Sequence, residues 1–216
     1  CGSRTGELDP DLIAEARVRL EMLDPKTVQR LRDVKLPKVP VRPPVLCPGC
    51  GHRGVAYAAR QASRRQDVLF PMDIGCYALI ENPPTAIGDI LLCMGSSIGT
   101  AAGLAATTDK KVLAFIGDST FYHAGIPALI HAVHQGLTLT VCIMDNGTTA
   151  MTGHQPHPGV SESGHPAVDM EGLVRACGVA SAETYEAYDV KGLTKAFRHA
   201  FDREGVSVVI ARHNCR

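Results

Sequence analysis

The chain has 216 residues, 45% of them hydrophobic and 20% charged, enough apolar material for one sizeable core and at most two domains. Its 22 basic and 22 acidic residues cancel and form no long single-sign run, which argues against nucleic-acid or membrane-surface partners and leaves small molecules and proteins. No apolar stretch reaches the ~20 residues of a membrane span and no basic-then-apolar leader opens the chain, so a cytoplasmic address without membrane association is expected.

Residues 11–33 are charged with intermittent Leu and Val and predict one or two short surface helices interrupted at Pro25. Prolines at 37, 40, 43, 44 and 48 favour a stiff, extended connection. Residues 1–44 therefore read as a helical arm and linker, and residues 45–216 as the functional domain. There, apolar runs of strand length alternate with Ala-rich helical stretches. The pattern predicts a helix over 52–65, strands over 68–74 and 89–93, a helix over 97–107, a strand over 111–116, a helix over 124–134 and a strand over 137–144. Helices over 170–176 and 190–202 precede a last strand over 206–211. Continuous runs such as Val112-Leu113-Ala114-Phe115-Ile116 suit strands buried on both faces, so the expected class is α/β, a parallel sheet flanked by helices. Thr152–Pro166 is rich in Gly, His and Pro without periodicity, long for an idle connection, and reads as a functional loop. The chain opens on Cys1 rather than Met and stops abruptly after its last strand, so a longer polypeptide is expected.

The strand over 111–116 runs into Gly117-Asp118-Ser119, and the next into Met144-Asp145-Asn146-Gly147-Thr148. Both sites are carboxyl strand ends, where open α/β sheets place ligands. Asp118 and the Asn146 amide would supply hard oxygen donors for an octahedral Mg²⁺ that also holds diphosphate oxygens. A helix starting near Ala124 would aim its N-terminal amides at an anion, and Gly117 would let the backbone come close. A plainer alternative is that Asp118 caps a helix and Asn146-Gly147 makes a turn.

Eight cysteines in a chain with a large core point to metal or redox chemistry rather than a disulfide scaffold. Cys47-Pro48-Gly49-Cys50-Gly51-His52 carries C-x-x-C spacing, open to three readings: half of an iron–sulfur or zinc site, a thioredoxin-like redox pair, or an accident. Cys76 and Cys215, after the last strand, would complete the four thiolates of a tetranuclear cluster. Cys93, Cys142 and Cys177 lie in apolar contexts and are expected to be buried and inert. His52, His123 and His154 fall at turns converging on the candidate site, able to move protons or bind a carboxylate, or only to satisfy backbone groups. His157 and His165 are expected to decorate the loop, and His131, His134, His199 and His213 to lie on surfaces or helix sides. Neither G-x-G-x-x-G nor a P-loop occurs, which removes nicotinamide binding and nucleotide hydrolysis by this chain.

Together these motifs resemble those of thiamine-diphosphate enzymes, which carry Gly-Asp-Gly followed by an Asn. Ser119 stands where the last Gly is expected, a departure shared with the indolepyruvate group of the 2-oxoacid:ferredoxin oxidoreductases. Thr148-Thr149-Ala150-Met151-Thr152-Gly153-His154-Gln155 looks like the signature of that group's α subunits, and Cys93-Met94-Gly95-Ser96-Ser97-Ile98-Gly99 is similar to the segment that supports the aminopyrimidine ring. The resemblance is dense over 45–155 and implies that Asp118, Asn146 and the Thr148 carbonyl ligate Mg²⁺, while Gly117 and Ser119 approach the diphosphate. It further implies that Cys50, Gly51, His52, Cys76, Met94, Gly95, Ser96, Ala150, Met151 and Thr152 surround the cofactor, with His52, His123 and His154 in catalytic roles. Cys47, Cys50, Cys76 and, by position, Cys215 would bind a [4Fe–4S] cluster. The implied reaction is oxidative decarboxylation of an aryl 2-oxo acid to acyl-CoA and carbon dioxide. Its implied partners are coenzyme A, ferredoxin and a pyrimidine-binding domain or subunit within an oligomer. Two other classes remain open: a non-redox thiamine decarboxylase or synthase, needing Asp118 and Asn146 but not the cysteines, and a zinc-binding interaction subunit without catalysis.

Overall fold

The computed structural model describes residues 10–33, 40, 43–161 and 165–215. The chain divides into two units, Cys1–Pro43 and Pro44–Arg216. In the first, the described residues form α1 (Pro10–Arg19) and α2 (Pro25–Arg32). Pro25 does not interrupt a helix but begins one, at the position where a missing N–H costs nothing.

The second unit is built on a five-stranded parallel sheet in the order β1 (Val68–Leu69), β4 (Lys111–Gly117), β5 (Leu139–Asp145), β7 (Val206–Arg212), β6 (Ser181–Glu186). Strands β2 (Pro71–Met72) and β3 (Ile90–Leu91) pair separately, also in parallel. Successive side chains leave a strand on opposite faces, so the continuous apolar runs feed two cores at once. From β4, Leu113 and Phe115 enter one core, where α3 (Gly51–Ser63) and α8 (Val190–Asp202) bring Val55, Leu193, Phe197 and Phe201. From the other face, Val112, Ala114 and Ile116 meet α4 (Ser97–Thr107), α6 (Ile126–His134) and α7 (Met170–Ala176) through Ile98, Leu129 and Val174. Helices on both faces make three layers. Asp169 and Asp189 start α7 and α8 as N-caps, accepting the N–H of Glu171 and Gly172 and of Gly192 respectively.

Four expectations change. The run over 68–74 splits because Pro71 has no N–H to continue a ladder, while Phe70 exchanges hydrogen bonds with Asp89 through its N–H (2.8 Å) and carbonyl (3.0 Å). The helix expected from Ala124 begins at Asp118: α5 (Asp118–Thr120) continues through a π-helical turn, Phe121–Gly125, into α6. β6 was not anticipated, since Ser181-Ala182-Glu183-Thr184-Tyr185-Glu186 is an edge strand that buries only Ala182 and so lacks an apolar run. The 3₁₀ turn Cys76–Glu81 was likewise invisible. Because every strand is parallel, the segments after β2, β3, β4, β5 and β7 all emerge at one edge of the molecule.

Phe197 is fully buried where α8 meets the sheet. Phe197→Ala should cost about 3–5 kcal/mol, read as a lower urea midpoint with an unchanged m-value.

Candidate functional site

At the carboxyl end of β4, Asp118 is 2% exposed, and its carboxylate is tied to its own helical turn and to two other stretches of chain. Oδ1 accepts the N–H of Ser119 (2.8 Å), and Oδ2 accepts those of Asn146 (3.0 Å) and Gly147 (2.8 Å) from the end of β5. Oδ2 also lies 3.0 Å from Nε2 of His157. Burial alone would raise the Asp118 carboxyl, but the hydrogen bond from His157 and the amides of Ser119 and Gly147 outweigh it and hold the group below its ordinary value. One end of the Asn146 amide lies 2.7 Å from the Thr148 carbonyl oxygen and 3.3 Å from both Asp118 oxygens. All three neighbours are acceptors. With the amide nitrogen at that end, it donates to them; with the amide oxygen there, only a cation can relieve the oxygens. Carboxylate, amide and carbonyl oxygens are the donors a hard divalent ion takes, so the residues present fit Mg²⁺.

His157 was expected to decorate the loop. It is instead buried against Asp118, held there by its own surroundings: the Gly159 N–H donates to Nδ1 (3.1 Å), and Tyr122 stacks on the ring at 5.6 Å. The available sequence signal was a histidine between Pro156 and Pro158 in a loop too long to be idle. Asp73, also missed, is fully buried at the end of β2 and accepts the N–H groups of Ile74 (2.8 Å), Gly95 (2.7 Å) and Ser97 (3.0 Å). It thereby ties the Met94-Gly95-Ser96 turn and the start of α4 to this edge. Gly95 has φ +88°, and a Cβ there would lie 2.6 Å from that of Ala124, so only glycine fits the turn.

Two adjoining cavities open here. The smaller, about 100 Å³, is walled by Asp118, Ser119, Asn146 and Thr148, by Met94 and Gly117, and by Ala150, Met151 and Thr152. Ser119 accepts a hydrogen bond from the Thr149 hydroxyl (2.8 Å), leaving its own O–H to donate. Gly117 admits the ring of Tyr77, which a Cβ would meet at 2.5 Å. The larger cavity, about 510 Å³, is walled by Cys47, Cys50, Cys76 and Cys215, by Gly51, and by His154 and His213. His52, Cys76, Asn146 and Ala150 line both and form the partition. His213 thus faces a cavity rather than the surface, bonded through Nδ1 to Glu186 (2.8 Å). His123 is exposed on the π-helical turn and lines neither cavity.

The thiol loop is anchored by Arg53, whose guanidinium donates to the carbonyls of Leu46 and Cys47, and by the Tyr188 hydroxyl on the Gly49 carbonyl. Burial pushes the Cys50 and Cys76 thiols up, with further increments from the neighbouring thiols, Cys215 among them; the His52 amide opposes this at Cys50. Four thiols facing one cavity fit a cluster that takes thiolates, yet among the described residues no three His, Cys, Asp or Glu side chains are gathered into a ready metal-ligand set. Of the cysteines expected to be inert, Cys142 is fully buried and Cys177 partly so, but Cys93 is exposed in the turn before α4.

Residues 73–211 match the C-terminal TPP binding domain of thiamine pyrophosphate enzymes. The chain belongs to that family. Over 193 residues it is 47% identical to the indolepyruvate oxidoreductase subunit IorA of Methanothermobacter marburgensis, covering 85% of this chain and 31% of that protein. The chain thus spans less than a third of that relative's length. It is 25% identical over 186 residues to the 2-oxoacid:ferredoxin oxidoreductase subunit beta of a Sulfolobus species, covering 78% of this chain and 61% of that protein. Among solved structures, 2-oxoglutarate:ferredoxin oxidoreductase from Magnetococcus marinus, with 2-oxoglutarate, coenzyme A and succinyl-CoA bound, superposes with a TM-score of 0.67 at 22% identity. The superposition covers 81% of this chain and 65% of that one, and shares its fold.

In this thiamine pyrophosphate enzyme domain the partition histidine is electrically neutral over most of the pH range. Burial pushes His52 down to about 4, with the Asp118 charge opposing. An unfolded chain takes up that proton near 6.5. The unfolded state therefore binds more protons between those values, and stability falls as pH drops from 6.5 toward 4, by about 3 kcal/mol from this group. Urea unfolding at pH 7 and pH 4.5 should show a smaller acid loss in His52→Gln than in the parent. Equal losses would mean that His52 titrates normally in the folded protein.

Proposed function

We propose that this chain is the diphosphate-binding portion of a 2-oxoacid oxidoreductase of the indolepyruvate type, which oxidatively decarboxylates aryl pyruvates to acyl-CoA and carbon dioxide and passes electrons to ferredoxin. The observation that carries the reading is the shared wall: a cavity faced by four thiols abuts one faced by Asp118, Asn146 and Thr148, with Cys76 and Asn146 on both. A non-redox thiamine enzyme has no use for the thiols. The relatedness to IorA supports the indolepyruvate assignment.

Asp118, the Asn146 amide oxygen and the Thr148 carbonyl would hold Mg²⁺, and Mg²⁺ the diphosphate. The Ser119 hydroxyl, whose acceptor role Thr149 fills, is left to donate to a diphosphate oxygen, beside the first-turn amides of the helical run that starts at Asp118. Met94, Gly95 and Ser96, fixed by Asp73, would support the aminopyrimidine ring. Thiamine diphosphate supplies the nucleophile and electron sink for decarboxylation when bound. Cys47, Cys50, Cys76 and Cys215 would hold a [4Fe–4S] cluster, whose iron would offset the burial and neighbouring charge that raise the Cys50 and Cys76 thiols. His52, neutral on the partition, can offer a hydrogen bond to substrate without adding charge, and His154 stands at the thiol cavity. A carboxylate that polarises the aminopyrimidine ring would come from a pyrimidine-binding partner, so the enzyme works as an oligomer.

The test is iron, acid-labile sulfide and zinc on protein purified without oxygen. About four irons and four sulfides per chain are expected, lost in Cys76→Ala. Zinc without iron would favour a non-catalytic interaction subunit. Retained thiamine diphosphate without iron would favour a non-redox enzyme, or clusters on another segment. The 216-residue chain alone should not turn over arylpyruvates, and robust turnover without a partner would overturn the shared-site reading.

A further inference from the structure

We propose that His157 is a metal-positioning residue: by joining the Asn146 and Gly147 amides on Asp118 Oδ2 it fixes the carboxylate so that Oδ1 is the oxygen offered to the cation, and so selects a small octahedral ion. The inference rests on reading the Asp118, Asn146 and Thr148 oxygens as a Mg²⁺ cradle.

A carboxylate can ligate through either oxygen or through both, and each oxygen has two in-plane lone pairs. Oδ2 meets three N–H groups, from Asn146 at 3.0 Å, Gly147 at 2.8 Å and His157 at 3.0 Å, which exhausts it. With the Asn146 amide oxygen turned toward the cradle, Oδ1 accepts from Ser119 at 2.8 Å and keeps a lone pair. The direction of the His157 bond is fixed, because Nδ1 accepts the Gly159 N–H at 3.1 Å and Nε2 therefore carries the hydrogen. The ring cannot drift either. Tyr122 stacks on it with 28° between planes, and its hydroxyl is anchored on the Val168 carbonyl at 2.7 Å. Tyr122 lies in the π-helical turn that follows Asp118, a local winding that often marks functional sites. Gly159 has no room for a side chain, since a Cβ would stand 2.5 Å from Tyr122 and 3.0 Å from His157. Helix and loop thus close a circuit whose output is the orientation of one carboxylate.

Mg²⁺ takes single oxygens in near-ideal octahedral geometry, whereas Ca²⁺ accepts bidentate carboxylates in looser shells. Without His157 the carboxylate is held on Oδ2 by the Asn146 and Gly147 amides alone and is freer to turn away from single-oxygen ligation, which should weaken the small ion and favour the large one. The experiment uses the full-length polypeptide in its natural assembly, with thiamine diphosphate present and Mn²⁺ as the paramagnetic probe. His157→Ala should weaken Mn²⁺ by roughly 10–100-fold, the range for ligand-orienting partners, and raise the Ca²⁺/Mg²⁺ affinity ratio. His157→Gln, whose amide N–H reaches about as far as Nε2, should restore most of the affinity, while His157→Asn, one methylene shorter, should not. That pair decides the matter even where the alanine variant fails to assemble. Equal Mn²⁺ affinity across parent, Gln and Asn would overturn the proposal. So would a directly coordinated imidazole nitrogen in the spin-echo modulation of the parent, since His157 would then be a ligand. A parent that binds no Mn²⁺ with the cofactor would fail the cradle reading itself, and this proposal with it.

Discussion

A buried carboxylate with its charge intact is the constraint on which this edge of the molecule depends. Asp118 has almost no contact with water, and an ion so placed is stable only where donors replace its hydration. Those donors are the amides of Ser119, Asn146 and Gly147 and the imidazole of His157. They come from the helix after β4, the turn after β5 and the loop beyond it. Satisfying one charge thus joins three segments, and each such hydrogen bond to a charged group is worth about 1.5–3 kcal/mol. The described residues between Thr148 and Val168 carry no helix or named strand, and His157 among them is placed by this demand rather than by apolar burial.

The sheet obeys a different logic, which explains what the sequence made legible. Residues 112–116 and 141–144 are apolar without alternation because each strand feeds two cores, and this announced a parallel sheet between helices. α4, α7 and α8 lie within 97–107, 170–176 and 190–202 because the helical pattern is local there, and in α7 and α8 an Asp cap agrees with it. β6 escaped because an edge strand needs little apolar surface, and the split at Pro71 because pairing with Asp89 is a long-range choice that no local pattern reports. At the site, Asp118, Asn146 and the C-x-x-C turn were visible through their residue types and positions. His157 and Asp73 were not, because their significance lies in burial and in the identity of distant amides. A histidine in a polar loop and an aspartate after an apolar run have many ordinary explanations until the chain is folded.

The two cavities show how the fold turns local geometry into a fixed relation between sites. Strand β5 pairs with β4 on one side and β7 on the other, and the ladder continues past both strand ends: the His213 N–H reaches the Asp145 carbonyl at 2.9 Å, and the Cys215 N–H reaches that of Asn146 at 2.8 Å. Asn146 therefore presents its side chain to the oxygen cradle and its carbonyl to the residue that carries a thiol of the other cavity. Cys76 enters from the opposite direction, on the 3₁₀ turn after β2, whose position Asp73 fixes by holding Gly95 and Ser97.

That arrangement bears on how electrons could leave such a site. Transfer between two bound groups requires a short, constant separation, and flexible loops alone would not maintain one. Here the separation is set by backbone register between β5 and β7, which can slip only by at least one residue, exchanging every side chain between the two cores. The partition is equally constrained: His52 is buried, packed edge-on against Tyr77 at 6.0 Å and uncharged above about pH 4, so it lines both cavities without bringing a counter-charge between them. Polar residues line the two cavities at this edge, but it is the apolar sheet beneath that keeps the cavities at one distance.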